Sequence, residues 1–303
     1  MSQSIDGIYY VWEQFEDKYV LGPQLTKYES FEDILWTNNN IDNKKIFGKL
    51  IEFEDSFVKS GFYSKNFEEI KPPLGSGSFG SVFKVKSRED GDYYNYYRKR
   101  GAKYSAIKRI EFTSVDKNEI IREYLNYKII TRNYSENEYL VKHFDAWFEE
   151  SFVSNQSGIS LYIQIELCDK TLDDVIKEFD KESHLKTNGT LTTVGYYIAS
   201  QIFIQILEGV NHLHKQNPPL IHRDLKPANI LLKKDEAKGI LVKIADFGYM
   251  AIHKFSEQSH TKDKGTARYT APEVIKTRKY NTKADVYSLG IIFQNLFDLE
   301  LIE

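Results

Sequence analysis

The stretch LIHRDLKPANILLKKDEAKGILVKIADFG, residues 220–248, decides how this chain is read. Taken by itself, HRDLKPAN passes for a polar turn between a helix and a strand. Its residue types suit a sharper purpose. Moving a phosphoryl group onto a hydroxyl needs a carboxylate that orients the hydroxyl and accepts its proton, and Asp224 supplies one. It needs a cation near the transferred group, Lys226, and an oxygen ligand for magnesium, Asn229. Seventeen residues after Asn229, Asp246 in Asp246–Phe247–Gly248 adds a second oxygen donor of the kind a hard cation prefers. Those three letters alone would be coincidence. At this distance behind HRDLKPAN they are not.

Toward the N-terminus, FEEIKPPLGSGSFGSVFKVK (67–86) reads as strand, glycine-rich turn, strand. Gly75, Gly77 and Gly80 form a GxGxxG, with Val82 two residues on. Glycine lets a backbone approach a polyphosphate and aim its N–H groups at it. The rival dinucleotide fingerprint needs a helix straight after the glycines, and SVFKVK continues as a strand instead. Lys108, in Ala106–Ile107–Lys108 on the next strand YSAIKRIEF, is placed to hold α- and β-phosphates. NEIIREYLNYKIITRN is helical, with Ile121, Leu125 and Ile129 at four-residue spacing. On it Glu123 is the preferred ion-pair partner for Lys108, and Glu119 on the same face is the competing choice.

Further elements follow by pattern. LYIQIELC is an apolar strand of buried character, and TLDDVIKEF opens a helix with Thr171 as N-cap. Residues from about 193 to 215 form the clearest helix, its stripe made of Ala199, Ile202, Phe203, Ile206, Val210 and Leu213. Pro218 and Pro219 prevent its continuation. Strands plus one helix, then mostly helices, predict a small β-rich lobe and a helical lobe with a cleft between them.

Between DFG and Ala271–Pro272–Glu273 lies MAIHKFSEQSHTKDKGTARYT, rich in hydroxyls. Thr261, Thr266, Ser256 and Ser259 are candidate phosphosites there. A phosphate on one of them would pair with Arg223 and order the loop. Thr266 has a second reading, in which its hydroxyl bonds Asp224 and Lys226.

Composition bounds the partners. The formal net charge of -3 over 303 residues gives no global electrostatic case for nucleic acid or anionic membrane. One segment, Tyr93, Tyr94, Tyr96, Tyr97, Arg98, Lys99 and Arg100, mixes aromatics with cations in the manner of a nucleic-acid contact, although a solvated loop is the favoured reading. No apolar run approaches the ~20 residues needed to cross a bilayer. The N-terminal residues lack a basic and apolar leader pattern, and the lone Cys168 rules out an internal disulfide. Both point to a cytoplasmic or nuclear protein.

Together, GSGSFGSV, AIK, Glu123, HRDLKPAN, DFG, APE and Asp285 in KADVYSLG resemble the eukaryotic protein kinase superfamily over roughly residues 67–297. The resemblance implies an α+β, bilobal protein-kinase-like fold. Its small lobe would span 67–167 and an incomplete helical lobe 168–303, behind an extension, 1–66, that carries no recognised sensor module. It implies ATP and Mg²⁺ as cofactors and a protein substrate. By the same resemblance the Glu166 carbonyl and Cys168 amide bind adenine, and Ile165 is the gatekeeper. Val82, Ala106 and Leu231 sandwich the ring, Leu74 joins the nucleotide contacts, and Asp285 braces the HRD backbone. Lys226 favours serine or threonine over tyrosine.

Within the superfamily the chain looks most like kinases of the translation initiation factor 2 alpha subunit. The supporting stretches are HFDAWFEE, LYIQIELCDKTLDDVI, HLHKQNPPLIHRDLKPANILL and the Thr261/Thr266 pair. That likeness implies the initiation factor as substrate, translation control under stress as the setting, and homodimers. Wee-type kinases share the glycine turn but depart at HRDLKPAN and GTARYTAPE. Against the subfamily pattern, the insert between fourth and fifth strands, about SFVSNQSGIS, is short. The chain also stops at Glu303, so Ile291, Ile292, Phe293, Leu296 and Phe297 are expected to lack cover and the sequence to be a fragment of a longer kinase. A nucleotide-binding regulatory protein with little turnover is the alternative.

Overall fold

A computed structural model describes residues 61–77, 80–89, 103–112, 127, 137–153, 156–187, 189–217, 219–249, 251–252, 267–277 and 281–299. A short helix α1 (Phe62–Asn66) leads into a five-stranded antiparallel sheet. Its strands are β1 (Phe67–Gly77), β2 (Gly80–Ser87), β3 (Tyr104–Phe112), β4 (His143–Val153) and β5 (Gln156–Glu166), in spatial order β1-β2-β3-β5-β4. Pro72 and Pro73 sit in β1, an edge strand whose register shifts between Ile70 and Gly75, where missing N–H donors do least harm.

Alternation assigns the two faces. Phe83, Val85, Ile107, Trp147 and Tyr162 point one way and pack under Phe62 of α1. Trp147 stacks on Tyr162 at 5.3 Å and 5°. The buried Glu149 carboxylate accepts from the Tyr63 amide (2.6 Å) and the Trp147 indole (2.7 Å), which fastens α1 to the sheet. Ile110, Leu161 and Ile163 point the other way, against Tyr127. The segment SFVSNQSGIS is short, as expected: β4 reaches Val153 and β5 begins at Gln156, with Ser151 paired to Gly158 and Val153 to Gln156.

After the sheet, β6 (Lys170–Thr171) leads to α2 (Leu172–Phe179), then to a small hairpin of β7 (Lys186–Thr187) and β8 (Thr190–Leu191). Thr171 is the N-cap of α2. Its hydroxyl accepts from the Asp174 amide (3.1 Å), and Asp174 accepts in return from the Thr171 amide (3.0 Å). Helix α3 (Thr193–His214) is capped by Thr192, whose side chain accepts from Gly195 N at 3.1 Å. A Cβ on Gly195 would meet the Leu185 carbonyl at 2.1 Å, so only glycine fits this crossing.

The stripe read on α3 is buried at Ala199, Ile202, Ile206, Val210 and Leu213, while Phe203 is half-buried. It packs on the hairpin β10 (Ile230–Asp235)/β11 (Gly239–Ile244), which follows β9 (Leu220–Ile221) and precedes β12 (Ala251–Ile252). Helix α4 (Pro272–Thr277) and helix α5 (Thr282–Phe297) complete the described elements. Against expectation, α5 has much of its apolar surface covered. Ile292, Leu296 and Phe297 are buried, and Phe293 meets Phe203 at 5.1 Å and Phe297 at 4.4 Å. The α3 helix supplies that cover. The apolar residues left outward on α5 are Val286 and Tyr287.

Candidate active site

The site forms where the sheet meets the β9–β11 region. β3 carries Lys108 on a rigid strand flanked by β2 and β5. Its ammonium donates to Asp246 Oδ1 at 2.8 Å. Burial pushes the Asp246 carboxyl up, but Lys108, helped by His222 and Lys226, holds it below the ordinary carboxylate range. Asp246 is therefore an anion with a cation against it.

Asp224 lies in the turn after β9, 4% exposed. Lys226 Nζ contacts its Oδ2 at 2.9 Å. Asn229, at the end of the 3-10 turn Pro227–Asn229, donates its amide to the Asp224 carbonyl and to Oδ2, each at 2.8 Å. The Ala245 amide donates to the Asn229 carbonyl at 2.9 Å, which places Asn229 beside the strand end that delivers Asp246.

Backbone strain marks both loops. Arg223 has φ 71° and Asp246 has φ 62°, values that non-glycine residues avoid at a cost of about 1–3 kcal/mol each. The first is held by Asp285, fully buried on α5, whose two oxygens accept the amides of His222 and Arg223 at 2.9 Å each. His214 Nε2 sits 2.7 Å from the same carboxylate. The His222 ring bridges within the site: Nδ1 accepts from the Asp224 amide (3.3 Å), so Nε2–H donates to the Ala245 carbonyl (3.0 Å).

The nucleotide positions suggested by sequence fall on β1, β2, β3, the end of β5 with the segment that follows it, and β10. Gly75, Gly77 and Gly80 lie on the β1–β2 hairpin, where Gly75 pairs with Val82 and Gly77 with Gly80. Leu74 is 55% exposed, Ala106 is buried on β3, and Val82 and Leu231 are half-buried on β2 and β10. Cys168 follows β5, half-buried, and burial together with the Glu166 charge pushes its thiol up to about 12. Glu123, its rival Glu119, Thr261 and Thr266, the Tyr93–Arg100 segment and residues 1–60 lie outside the described residues.

One constellation escaped sequence reasoning. The Glu166 carboxylate, 3% exposed, accepts from the Lys142 amide (2.7 Å), from Lys243 Nζ of β11 (2.9 Å) and from Lys233 Nζ of β10 (2.8 Å). Burial would raise the Glu166 carboxyl, but Lys233, Lys243 and the Lys142 amide bring it below its usual value. A signal existed: Lys243 interrupts the apolar run GILVKIA, and a charge in a buried strand calls for a partner.

Comparison with known proteins accords with this geometry. Residues 68–302 match the family described as "Protein kinase domain". The chain is 29% identical over 269 residues to the interferon-induced, double-stranded RNA-activated protein kinase of Mus musculus, covering 86% of this chain and 46% of that protein. It is 28% identical to the eIF-2-alpha kinase GCN2 of Arabidopsis thaliana, over 79% of this chain and 21% of that one. It is 31% identical to the membrane-associated tyrosine- and threonine-specific cdc2-inhibitory kinase wee-1.3 of Caenorhabditis elegans, over 79% of this chain and 29% of that one. The chain spans less than half the length of each of these relatives.

Proposed function

Because this chain belongs to the protein kinase domain family, we propose that it transfers the γ-phosphoryl group of ATP to a serine or threonine hydroxyl of a protein. One observation carries the reading: Lys108–Asp246 and Lys226–Asp224, two cation–carboxylate pairs at 2.8 and 2.9 Å, are joined through Asn229 in one site. In this reading Asp224 orients the acceptor hydroxyl and takes its proton as the new O–P bond forms and the β–γ bridge breaks. Lys226 balances charge on the moving group. Lys108 leaves Asp246 for the α- and β-phosphates, and Leu74, the three glycines, Val82, Ala106, Leu231 and the 166–168 backbone enclose the nucleotide. Glu123, Thr261 and Thr266 keep their proposed roles as partner of Lys108 and as activation-segment residues.

Mg²⁺ is part of this proposal, and the donor set suits it. Among the described residues no three His, Cys, Asp or Glu side chains gather into a cage. Asp246 and the oxygen of Asn229, whose amide nitrogen is already bonded to Asp224, offer the one or two protein ligands that magnesium takes alongside phosphates and water. When bound, the ion would neutralise charge building up on the phosphate oxygens.

As acceptor we propose the alpha subunit of translation initiation factor 2, on the likeness to an eIF-2-alpha kinase. The name of the wee-1.3 relative includes tyrosine, and Lys226 seated on Asp224 is what favours serine and threonine here. The test is radiolabel transfer from ATP to the chain itself and to the initiation-factor subunit, with Asp224→Asn as control. Transfer on serine or threonine that disappears in the variant is expected. Label on tyrosine alone would refute the acceptor class. ATP binding without any transfer would favour a regulatory nucleotide-binding protein.

A further inference from the structure

We propose that an acidic segment of this chain, Glu52–Phe53–Glu54–Asp55, docks on a patch of lysines at the open end of the β2–β3 pair and there screens the nucleotide mouth, the screening resting on the kinase reading. Strand alternation builds the patch. Phe83 and Val85 point to the face that α1 covers, so Lys84 and Lys86 point to the other. Cross-strand pairing sets Lys84 beside Ala106 and Lys86 beside Tyr104. Val82 and Ala106 are proposed adenine contacts on that same face. The face therefore runs from the nucleotide positions directly onto the lysines.

Tyr104, 41% exposed, is the centre of the patch. Lys84 Nζ lies 5.3 Å from its ring centroid and Lys103 Nζ 5.9 Å. The ring thus gathers two ammonium groups that would otherwise repel each other. Among the described residues Lys84, Lys86 and Lys103 have no carboxylate partner, and Glu68, opposite Lys86 on β1, forms no ion pair with it. Three collected and unneutralised cations attract an anion. A ring that already carries two cations is a poor platform for a stacked base, so a carboxylate-rich peptide suits the patch better than a nucleic acid.

The chain itself supplies that anion. Residues 1–60 hold eleven Asp and Glu against six Lys and no Arg, a net charge of -5 where the whole chain has -3. Their C-terminal end meets the fold at the patch: the Arg88 amide donates to the Asn66 carbonyl at 2.9 Å, Phe67 pairs with Ser87, and the Ser87 amide donates to the Lys103 carbonyl at 3.1 Å. Asp55 lies six positions before Gly61, which gives up to about 20 Å of extended chain. That span suffices to round β1, an edge strand about 5 Å from β2, and reach the lysine face. Of the acidic runs in residues 1–60, Glu52–Asp55 is the nearest in sequence to this corner. It offers three carboxylates to three ammonium groups, with Phe53 to meet Tyr104. A peptide laid on Lys84 would lie against the rim of the adenine position.

The experiment is carbodiimide coupling of the whole chain, which joins a carboxylate to an amine in contact with it, read by mass spectrometry. Amide links from Glu52, Glu54 or Asp55 to Lys84, Lys86 or Lys103 are expected. They should form within one chain when isotope-labelled and unlabelled copies are mixed, and fade as salt approaches about 1 M. Lys84→Glu with Lys103→Glu should lower their yield at least roughly fivefold, and adding Glu52→Lys with Glu54→Lys should restore coupling with the two partners exchanged. In the neutralised variant, Glu52→Gln with Glu54→Gln and Asp55→Asn, calorimetry should show ATP binding roughly two- to fivefold tighter, the scale of a few exposed ion pairs. No links at these lysines, links only between copies, links to another acidic run, or an unchanged ATP constant would overturn the proposal. So would a uridine oligonucleotide bound equally by wild type and neutralised variant and lost only with the lysines, which would assign the patch to nucleic acid. Links intact in a chain that binds no ATP would overturn instead the kinase reading.

Discussion

At the scale of single residues, His143 is the most informative titratable group. Its Nδ1 donates to the Val141 carbonyl at 3.1 Å, and its ring lies between Tyr127 at 5.6 Å and Phe247 at 5.8 Å. Phe247 in turn meets His222 at 5.4 Å, so four rings link the sheet to the catalytic loop. Burial, with Lys108 nearby, lowers the His143 pKa to about 4, against the opposing pull of the Val141 carbonyl, Glu166 and Asp246. An unfolded histidine titrates near 6.5. The unfolded chain therefore binds the proton first as pH falls. This residue weakens the fold progressively from about pH 6.5 down to about pH 4, and costs nothing above that window. His143→Phe should flatten the acid slope of stability by roughly 2–3 kcal/mol across the window, seen in urea melts at stepped pH. Equal slopes in both proteins would show that the histidine charges freely in the folded state. The contrast with Asp224, Asn229 and Asp246 is instructive. Those three were legible because their spacing falls within one short stretch. His143 was not, because its neighbours Tyr127 and Phe247 come from separate parts of the chain and only packing unites them.

At the scale of elements, local chemistry was readable where the signal is local. Thr171 with Asp174 three residues on announces a capping box, and the box is there. The α3 stripe with prolines behind it gives a helix that ends at His214. Helix α1 had no comparable mark: it is five residues long with no side-chain cap, and tertiary bonds such as Tyr63 N to Glu149 hold it. The glycine hairpin is legible only in part. Sequence pattern says that a tight turn is present but not which glycine the backbone demands. Gly80 has φ 103°, and a Cβ there would sit 2.1 Å from the Arg109 carbonyl of β3, a backbone atom that cannot swing aside. Around Gly75 nothing lies within 4 Å of such a Cβ. Gly80→Ala should therefore cost about 1–3 kcal/mol of stability, and Gly75→Ala less than ~1 kcal/mol, in thermal melts without nucleotide. Equal costs for the two would mean that the hairpin adjusts as a unit and that the Arg109 contact sets nothing.

At the scale of the whole molecule, the join between the sheet and the β10–β11 hairpin rests on Glu166. The strand β5 ends there, and its carboxylate reaches both strands of the hairpin, Lys233 on one and Lys243 on the other. The Glu166 amide adds a bond to the Lys142 carbonyl at 2.9 Å, and the 139–141 segment is itself bonded to Ile244. Exposure decides which lysine matters. Lys243 and Glu166 are each 3% exposed, whereas Lys233 is 41% exposed. Breaking a buried pair costs up to about 3–5 kcal/mol, and Lys243→Met would leave the buried Glu166 charge with the more exposed Lys233 as its remaining cation. An ion pair open to solvent is worth about 0–1 kcal/mol. Lys243→Met should therefore destabilise the fold by several-fold more than Lys233→Met in denaturant melts. Adding Glu166→Gln to Lys243→Met should recover part of the loss, because the buried charge that Lys233 would otherwise have to balance alone is gone. The reverse ranking, or a Lys243→Met protein that melts like wild type, would show water reaching Glu166 and would move the join between sheet and hairpin onto the backbone bonds alone.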